Sequence, residues 1–293
     1  MISTATVDST GDSPLSDVTA TGSMTAPDAN GRGTISLTAG SQTLNFVYYV
    51  LSADRLIVMN GDTETSATAL SGAMTRQSGT FTSSGLDTTA IISLWGAHGT
   101  QEPRGAATLG RFSAASAGTL TAVLDQAAQG TSALNNAYAG TYTVDSGGRV
   151  ALTLTPTTGT ARTFAIYLDA TSNGYVIETD SVDGNAGVLE AQVGTTFPNT
   201  LPGQFISNTQ FPVVPGPLSL LPAVSIGNGV ISANYGSGYF YMNADTGRGL
   251  GSLTTTGIGT DAIAVYEVSD SHLRVLKFGT TTTRNPMIDW IDR

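Results

Sequence analysis

The stretch Gly140-Thr141-Tyr142-Thr143-Val144-Asp145-Ser146-Gly147-Gly148-Arg149-Val150-Ala151-Leu152-Thr153-Leu154 decides the fold. Two alternating, β-branched runs flank an Asp-x-Gly-Gly turn. Alternation of period two is the signature of a half-buried strand. Glycine supplies the positive φ that a tight hairpin turn needs. The segment therefore reads as a β-hairpin.

The hairpin recurs. Asp28-Ala29-Asn30-Gly31-Arg32 leads into Gly33-Thr34-Ile35-Ser36-Leu37. Asp245-Thr246-Gly247-Arg248 leads into Gly249-Leu250-Gly251-Ser252-Leu253, with a turn that reads as one residue shorter. An apolar run follows each turn: Phe46 to Val50, Phe164 to Leu168 and Ile263 to Val268. A further run follows in the same order: Leu56 to Met59, Tyr175 to Glu178 and Leu273 to Leu276. A block repeated in order marks a repeat architecture.

Gly, Thr and Ser clusters punctuate the runs at a spacing typical of sandwiches and barrels. The expected fold class is all-β, with antiparallel up-and-down barrel-like units of about eight strands. A sandwich is the alternative. The middle unit, 78–195, predicts strands near 90–97, 105–114, 118–125, 138–145, 149–156, 161–169, 174–181 and 187–193. The third, 196–293, is a shorter version. The first, 1–77, matches only the last six strands, near 2–10, 17–26, 32–39, 43–52, 55–60 and 69–76. Residues 120–137, rich in Ala and Gln, are the best helix candidate, although the start of that stretch reads as a strand.

The signature Gly-Thr-Tyr-x-Val-Asp-x-x-Gly-Arg, the aromatic strand after it and the Pro212-Val213-Val214-Pro215-Gly216-Pro217 turn resemble a repeat of large secreted or surface proteins of acidobacteria. That repeat often occurs beside Ig-like domains. The likeness runs over nearly the whole chain and implies a surface role. It carries no catalytic or binding residues across.

Composition narrows the function further. Charged residues make up 12% of the 293, and the formal net charge is −10. Lys277 is the only lysine. Nucleic-acid binding needs clustered Lys and Arg, so it is not expected. No cysteine is present, which removes disulfides and thiolate-bound metals. No run approaches the roughly 18 apolar residues of a membrane helix, so no membrane insertion is expected. Met1 to Thr10 lacks the basic and apolar regions of a signal peptide. An extracellular or cell-surface protein would carry its signal outside this sequence.

Candidate site residues are few, and no cofactor is expected. Asp28/Arg32, Asp145/Arg149 and Asp245/Arg248 flank the three turns. A cross-strand ion pair would explain both residues. Ligand binding by Arg32, Arg149 and Arg248 at a barrel mouth is the sharper alternative. Tyr48, Tyr49, Tyr167, Tyr239, Tyr241 and Tyr266 fall on expected strands. They fill cores or, with Trp95, stack on sugars, because such rings join apolar area to a polar tip. Asp180, Asp183 and Asn185 form a weak calcium-loop fragment without the closing glutamate. His98 and His272 read as solvated loop residues.

Three function classes follow. The first is an extracellular structural repeat protein, self-associating through open strand edges near 2–10 and 69–76 and forming filaments. The second is a barrel that binds a small apolar ligand or a glycan. The third is a hydrolase with loop-borne residues near His98. A non-enzymatic role is expected.

Overall fold

The computed structural model describes residues 2–9, 15–61, 71–86, 88–98, 104–115, 117–128, 131–169, 172–180, 183–194, 197, 203–210, 224–227, 230–233, 236–257, 259–278 and 286–293. Every regular element among them is a strand, apart from one 3-10 turn at Ser83–Leu86.

Strands β1 (Ile2–Val7), β2 (Val18–Met24), β3 (Arg32–Ala39), β4 (Gln42–Ser52), β5 (Arg55–Asn60) and β6 (Ser71–Thr75) pair in chain order as one antiparallel sheet. Among the described residues, β1 and β6 are its edges.

Strands β7 (Thr89–His98), β8 (Arg104–Ala115), β9 (Thr119–Ala128), β10 (Thr131–Val144), β11 (Arg149–Pro156), β12 (Arg162–Leu168), β13 (Gly174–Glu178) and β14 (Asp183–Ala191) form a closed barrel. Each pairs with its chain neighbours, and β14 closes on β7. A second closed barrel follows. It comprises β15 (Gly203–Gln210), β16 (Val224–Gly227), β17 (Val230–Ala233), β18 (Gly236–Asn243), β19 (Arg248–Thr255), β20 (Gly259–Ser269), β21 (His272–Phe278) and β22 (Met287–Asp292). Here β22 closes on β15. The architecture is the up-and-down barrel, not the sandwich; closure leaves no edge to cover.

The helix candidate at 120–137 is instead the β9–β10 hairpin. Its ladder shifts register between Ala133 and Asn136, and Asn135 takes φ 57° there. A bulge of this kind admits one residue too many, and Asn tolerates the left-handed conformation. Alternation explains the outcome. Leu120, Ala122 and Leu124 are buried while Thr119 and Thr121 are exposed, a period of two rather than 3.6.

Gly31, Gly148 and Gly247 all adopt positive φ, at 76°, 80° and 64°. The acidic residue of the turn has a backbone task. Asp28 Oδ1 accepts the N–H groups of Asn30 and Arg32, and Asp145 Oδ1 those of Gly147 and Arg149. The third turn differs from the sequence reading. Its anchor is Asn243, whose Oδ1 accepts the N–H groups of Asp245 and Thr246. Asn243 stands four positions before Gly247, where Asp28 and Asp145 stand three before their glycines. The third turn is thus one residue longer, and Asp245 is not the counterpart of Asp145.

Each barrel carries a phenylalanine against its signature glycine. A Cβ on Gly148 would lie 2.9 Å from the Phe81 ring, and one on Gly247 would lie 2.9 Å from the Phe197 ring. Phe197 belongs to the second barrel's core, and Phe81 packs against that of the first. These residues precede their barrels in the chain and cap one end of each.

Both interiors are filled. Ile92, Leu94, Phe112, Leu152, Phe164 and Ile166 stand among the core of the first barrel. Ile231, Phe240, Leu253, Ile263 and Val275 stand among that of the second.

The chain separates into two compact units, one within residues up to Gly79 and one from Thr80 to Arg293. The second unit holds both barrels. Residues 78–195 and 196–293, read as separate units from the repeat, each hold one barrel, and the two barrels share a packed seam.

Candidate functional site: the seam between the barrels

The seam is apolar at its centre. Ile91, Ala107 and Leu109 of the first barrel cluster with Ala264, Leu276 and Ile288 of the second. These side chains point out of their own barrels, opposite to the interior sets on the same strands. Burying them removes apolar area from water, the main favourable contribution to association.

Two polar clusters flank this centre. In the first, the Asp125 carboxylate is fully buried and receives four donors. Arg248 Nη2 and the Asn135 N–H reach Oδ1 at 2.7 and 2.8 Å. Arg248 Nε and the Tyr266 hydroxyl reach Oδ2 at 2.8 and 2.6 Å. Asp125 lies on β9 and Arg248 and Tyr266 on β19 and β20, so the cluster joins the two barrels. Burial pushes the Tyr266 hydroxyl pKa up, and the Asp125 carboxylate adds to the effect. Burial alone would weaken the Arg248 cation, but Asp125 and Tyr266 together outweigh it and raise its pKa.

In the second cluster, Arg274 is almost fully buried. Its Nε donates to Glu190 Oε2 at 2.6 Å, and its guanidinium sits 3.7 Å from the Trp290 ring centroid. His272 Nε2 lies 3.2 Å from Glu190 Oε1, and its Nδ1 pairs with Asp292. Trp95 meets Trp290 edge to face at 6.1 Å. Burial works against the Glu190 charge, yet the bonds from His272 and Arg274 hold its pKa below the usual carboxylate range.

These clusters place several of the residues singled out in the sequence. Arg248 does not face a barrel mouth or pair with Asp245; it lies in the seam. Trp95 is part of the same seam, half-buried, rather than an open stacking platform. His272 is not a solvated loop residue but starts β21 between two carboxylates. No hydroxyl is hydrogen-bonded to it among the described residues, so the nucleophile–base contact of a hydrolytic triad is not formed there. His98 ends β7, opposite Arg104 and Asp183.

Arg32 is paired directly across the ladder with Tyr49, Arg149 with Tyr167, and Arg248 with Tyr266. The Arg–Tyr pair is thus a constant of the repeat. Arg149 points outward because its neighbours Val150, Leu152 and Leu154 point inward. Arg32 is exposed, and Tyr49 is 43% exposed. Only in the third pair does the structure bury the tyrosine completely.

The calcium-loop fragment separates. Asn185 is buried and its Nδ2 donates to Glu178 Oε2 at 2.8 Å, while Arg162 Nε donates to Glu178 Oε1 at 2.6 Å. Burial pushes the Glu178 carboxyl up to about 7, outweighing Arg162 and Asn185. Asp180 is half-buried beyond β13, and the Asp183 side chain lies outside the described residues. No group of three metal-ligating side chains occurs among the described residues. The Pro212 to Pro217 turn also lies outside them.

Sequence reasoning missed Asp125, Glu190 and Arg274. Each is a charged residue within a short apolar or Ala-rich run (122–128, 187–191 and 273–276), and that contrast was the available signal. Compared with protein-family models, curated proteins and solved structures, the chain gives no match.

Proposed function

We propose that this chain is a structural repeat protein of a cell surface or extracellular layer, without catalytic activity, which self-associates through its six-stranded sheet. The carrying observation is the state of that sheet. Among the described residues it has six strands, in the order of the last six of each closed barrel, with β1 and β6 at its edges. An open edge exposes rows of backbone donors and acceptors that template pairing with another chain. Ile2-Ser3-Thr4-Ala5-Thr6-Val7 holds no charge and no proline to block such pairing.

Two further features support the reading. The cross-strand neighbours Tyr49 and Ile57 remain 43% and 45% exposed on one face of the sheet, and Met59 is 53% exposed beside Val47. Contiguous apolar exposure of this kind marks an interaction surface. The barrel interiors, in turn, hold apolar side-chain cores, and the repeated turn residues serve folding and barrel-to-barrel contact. Likeness to the acidobacterial surface repeat points the same way.

Electron microscopy and sedimentation of the full chain test this reading. Oligomers or fibres are expected, and removal of residues 1–7 should abolish or remodel them while both barrels stay folded. A chain that is monomeric at high concentration, with or without residues 1–7, overturns it.

A further inference from the structure

A cleft with a cavity of about 190 Å³ opens where the third signature turn meets the outer wall of the first barrel. Arg111 and Arg248 line it, with the hydroxyl side chains Ser113, Thr121 and Thr246 and the amides Asn135 and Asn243. Drug-sized ligands fill roughly 300–1,000 Å³, so this volume suits a ligand of monosaccharide size or smaller.

The charge in the cleft is unusual for this chain. The guanidinium of Arg248 is neutralised by Asp125. Arg111 is half-buried, and its Nε donates to Gln192 Oε1 at 2.8 Å. No carboxylate pairs with Arg111 among the described residues. A lone, partly desolvated guanidinium is a ready partner for an oxyanion, which it can grip through two parallel N–H groups. The cleft therefore carries about one net positive charge in a protein of formal charge −10.

The third turn is altered where it meets this charge. Asp28 and Asp145 anchor the first two turns through one carboxylate oxygen. The third uses Asn243, which does the same backbone work through Oδ1. An aspartate would serve the turn equally well but would set a negative charge in the cleft that Arg111 lines. Asparagine removes that charge and leaves its Nδ2 group as a donor. Opposite it, Asn135 is held at φ 57° by the bulge in β10, its N–H committed to Asp125 and its side chain at the cleft.

We propose that the cleft between the barrels binds a small hydroxylated carboxylate, such as an acidic monosaccharide, with Arg111 holding the carboxylate and the Asn, Ser and Thr side chains taking the hydroxyls. This site is independent of chain assembly.

Calorimetric titration of the full chain with glucuronate tests it, with glucose and inorganic sulfate as comparison probes. Saturable glucuronate binding is expected, with glucose at least tenfold weaker. Arg111→Gln should weaken binding at least tenfold. Asn243→Asp, which restores the turn anchor of the other two copies and so should fold, should weaken it by a similar factor. Arg32→Gln, far from the cleft in sequence and on another sheet, should leave it unchanged. No saturable binding of glucuronate overturns the proposal. So does equal binding of glucose, equal binding of sulfate, or glucuronate affinity that survives both Arg111→Gln and Asn243→Asp.

Discussion

Arg248 grips Asp125 at two points, Nη2 to Oδ1 at 2.7 Å and Nε to Oδ2 at 2.8 Å, and so ties the second barrel to the first. The carboxylate is fully buried, and its four donors leave no oxygen unsatisfied. Removing one partner of such a pair leaves the other in the seam without its counter-charge.

Asp125→Ala should therefore destabilise the two-barrel unit by about 3–5 kcal/mol, the cost typical of breaking a buried pair. Combining it with Arg248→Ala in a double-mutant cycle should recover much of that loss. Chemical denaturation checks both. Two well-separated transitions in the variant, against one in the wild type, would show that the contact couples the barrels. A loss under 1 kcal/mol would contradict the buried clamp.

Gly148→Val should cost more than the roughly 1 kcal/mol expected of an ordinary surface change. Valine is strained at φ 80°, and its Cβ would meet the Phe81 ring. Gly31→Val shares the backbone strain, but the nearest atom to its Cβ is 3.7 Å away. Phe81→Ala in the Gly148→Val background should recover only the steric part. A melting temperature unchanged by Gly148→Val would contradict the hairpin and its cap.

Stability should respond to pH in two windows. Burial, with Asp270 nearby, pushes the Glu267 carboxyl up to about 7, and its Oε2 has no hydrogen-bond partner. A pKa raised above the unfolded value of 4.5 gives stability that is full below about 4.5 and lost as pH rises through 7. Glu178 acts in the same direction. Glu190 is depressed, so its contribution is present above the unfolded value and lost as pH falls through its folded pKa. The melting temperature should rise from pH 8 to about pH 5.5 and fall again in acid. Glu267→Gln should melt higher than wild type at pH 8 and show a flatter profile. Identical profiles for both proteins would refute the assignment to Glu267.

Much of the fold was legible in the sequence, and the reasons are local. Arg149–Pro156 and His272–Phe278 appear where alternation and flanking turns placed them. Residues 120–137 were ambiguous because Ala and Gln favour helices, whereas cross-strand pairing decided the outcome. The third turn was misread because Asp245 looked like the aspartates of the other copies; an anchor is defined by which N–H groups its oxygen reaches, and Asn243 does that work. The candidate site was mostly hidden. Asp125, Arg111 and Arg248 belong to strands far apart in the chain, and only the packing of one barrel wall on another brings them together. The Phe81 and Phe197 caps were missed for the same reason, since each lies outside the strands it seals.

Hydrogen exchange of the β1 and β6 amides across a concentration series, read together with light scattering, tests whether the open sheet pairs with a second chain. Pairing of these edges with a second chain predicts that the outward-facing amides of residues 2–7 and 71–75, those not bonded to β2 or β5, exchange quickly in dilute solution. Their protection should then grow as the scattering mass rises. Protection of both strands at every concentration in a chain that stays monomeric would contradict it.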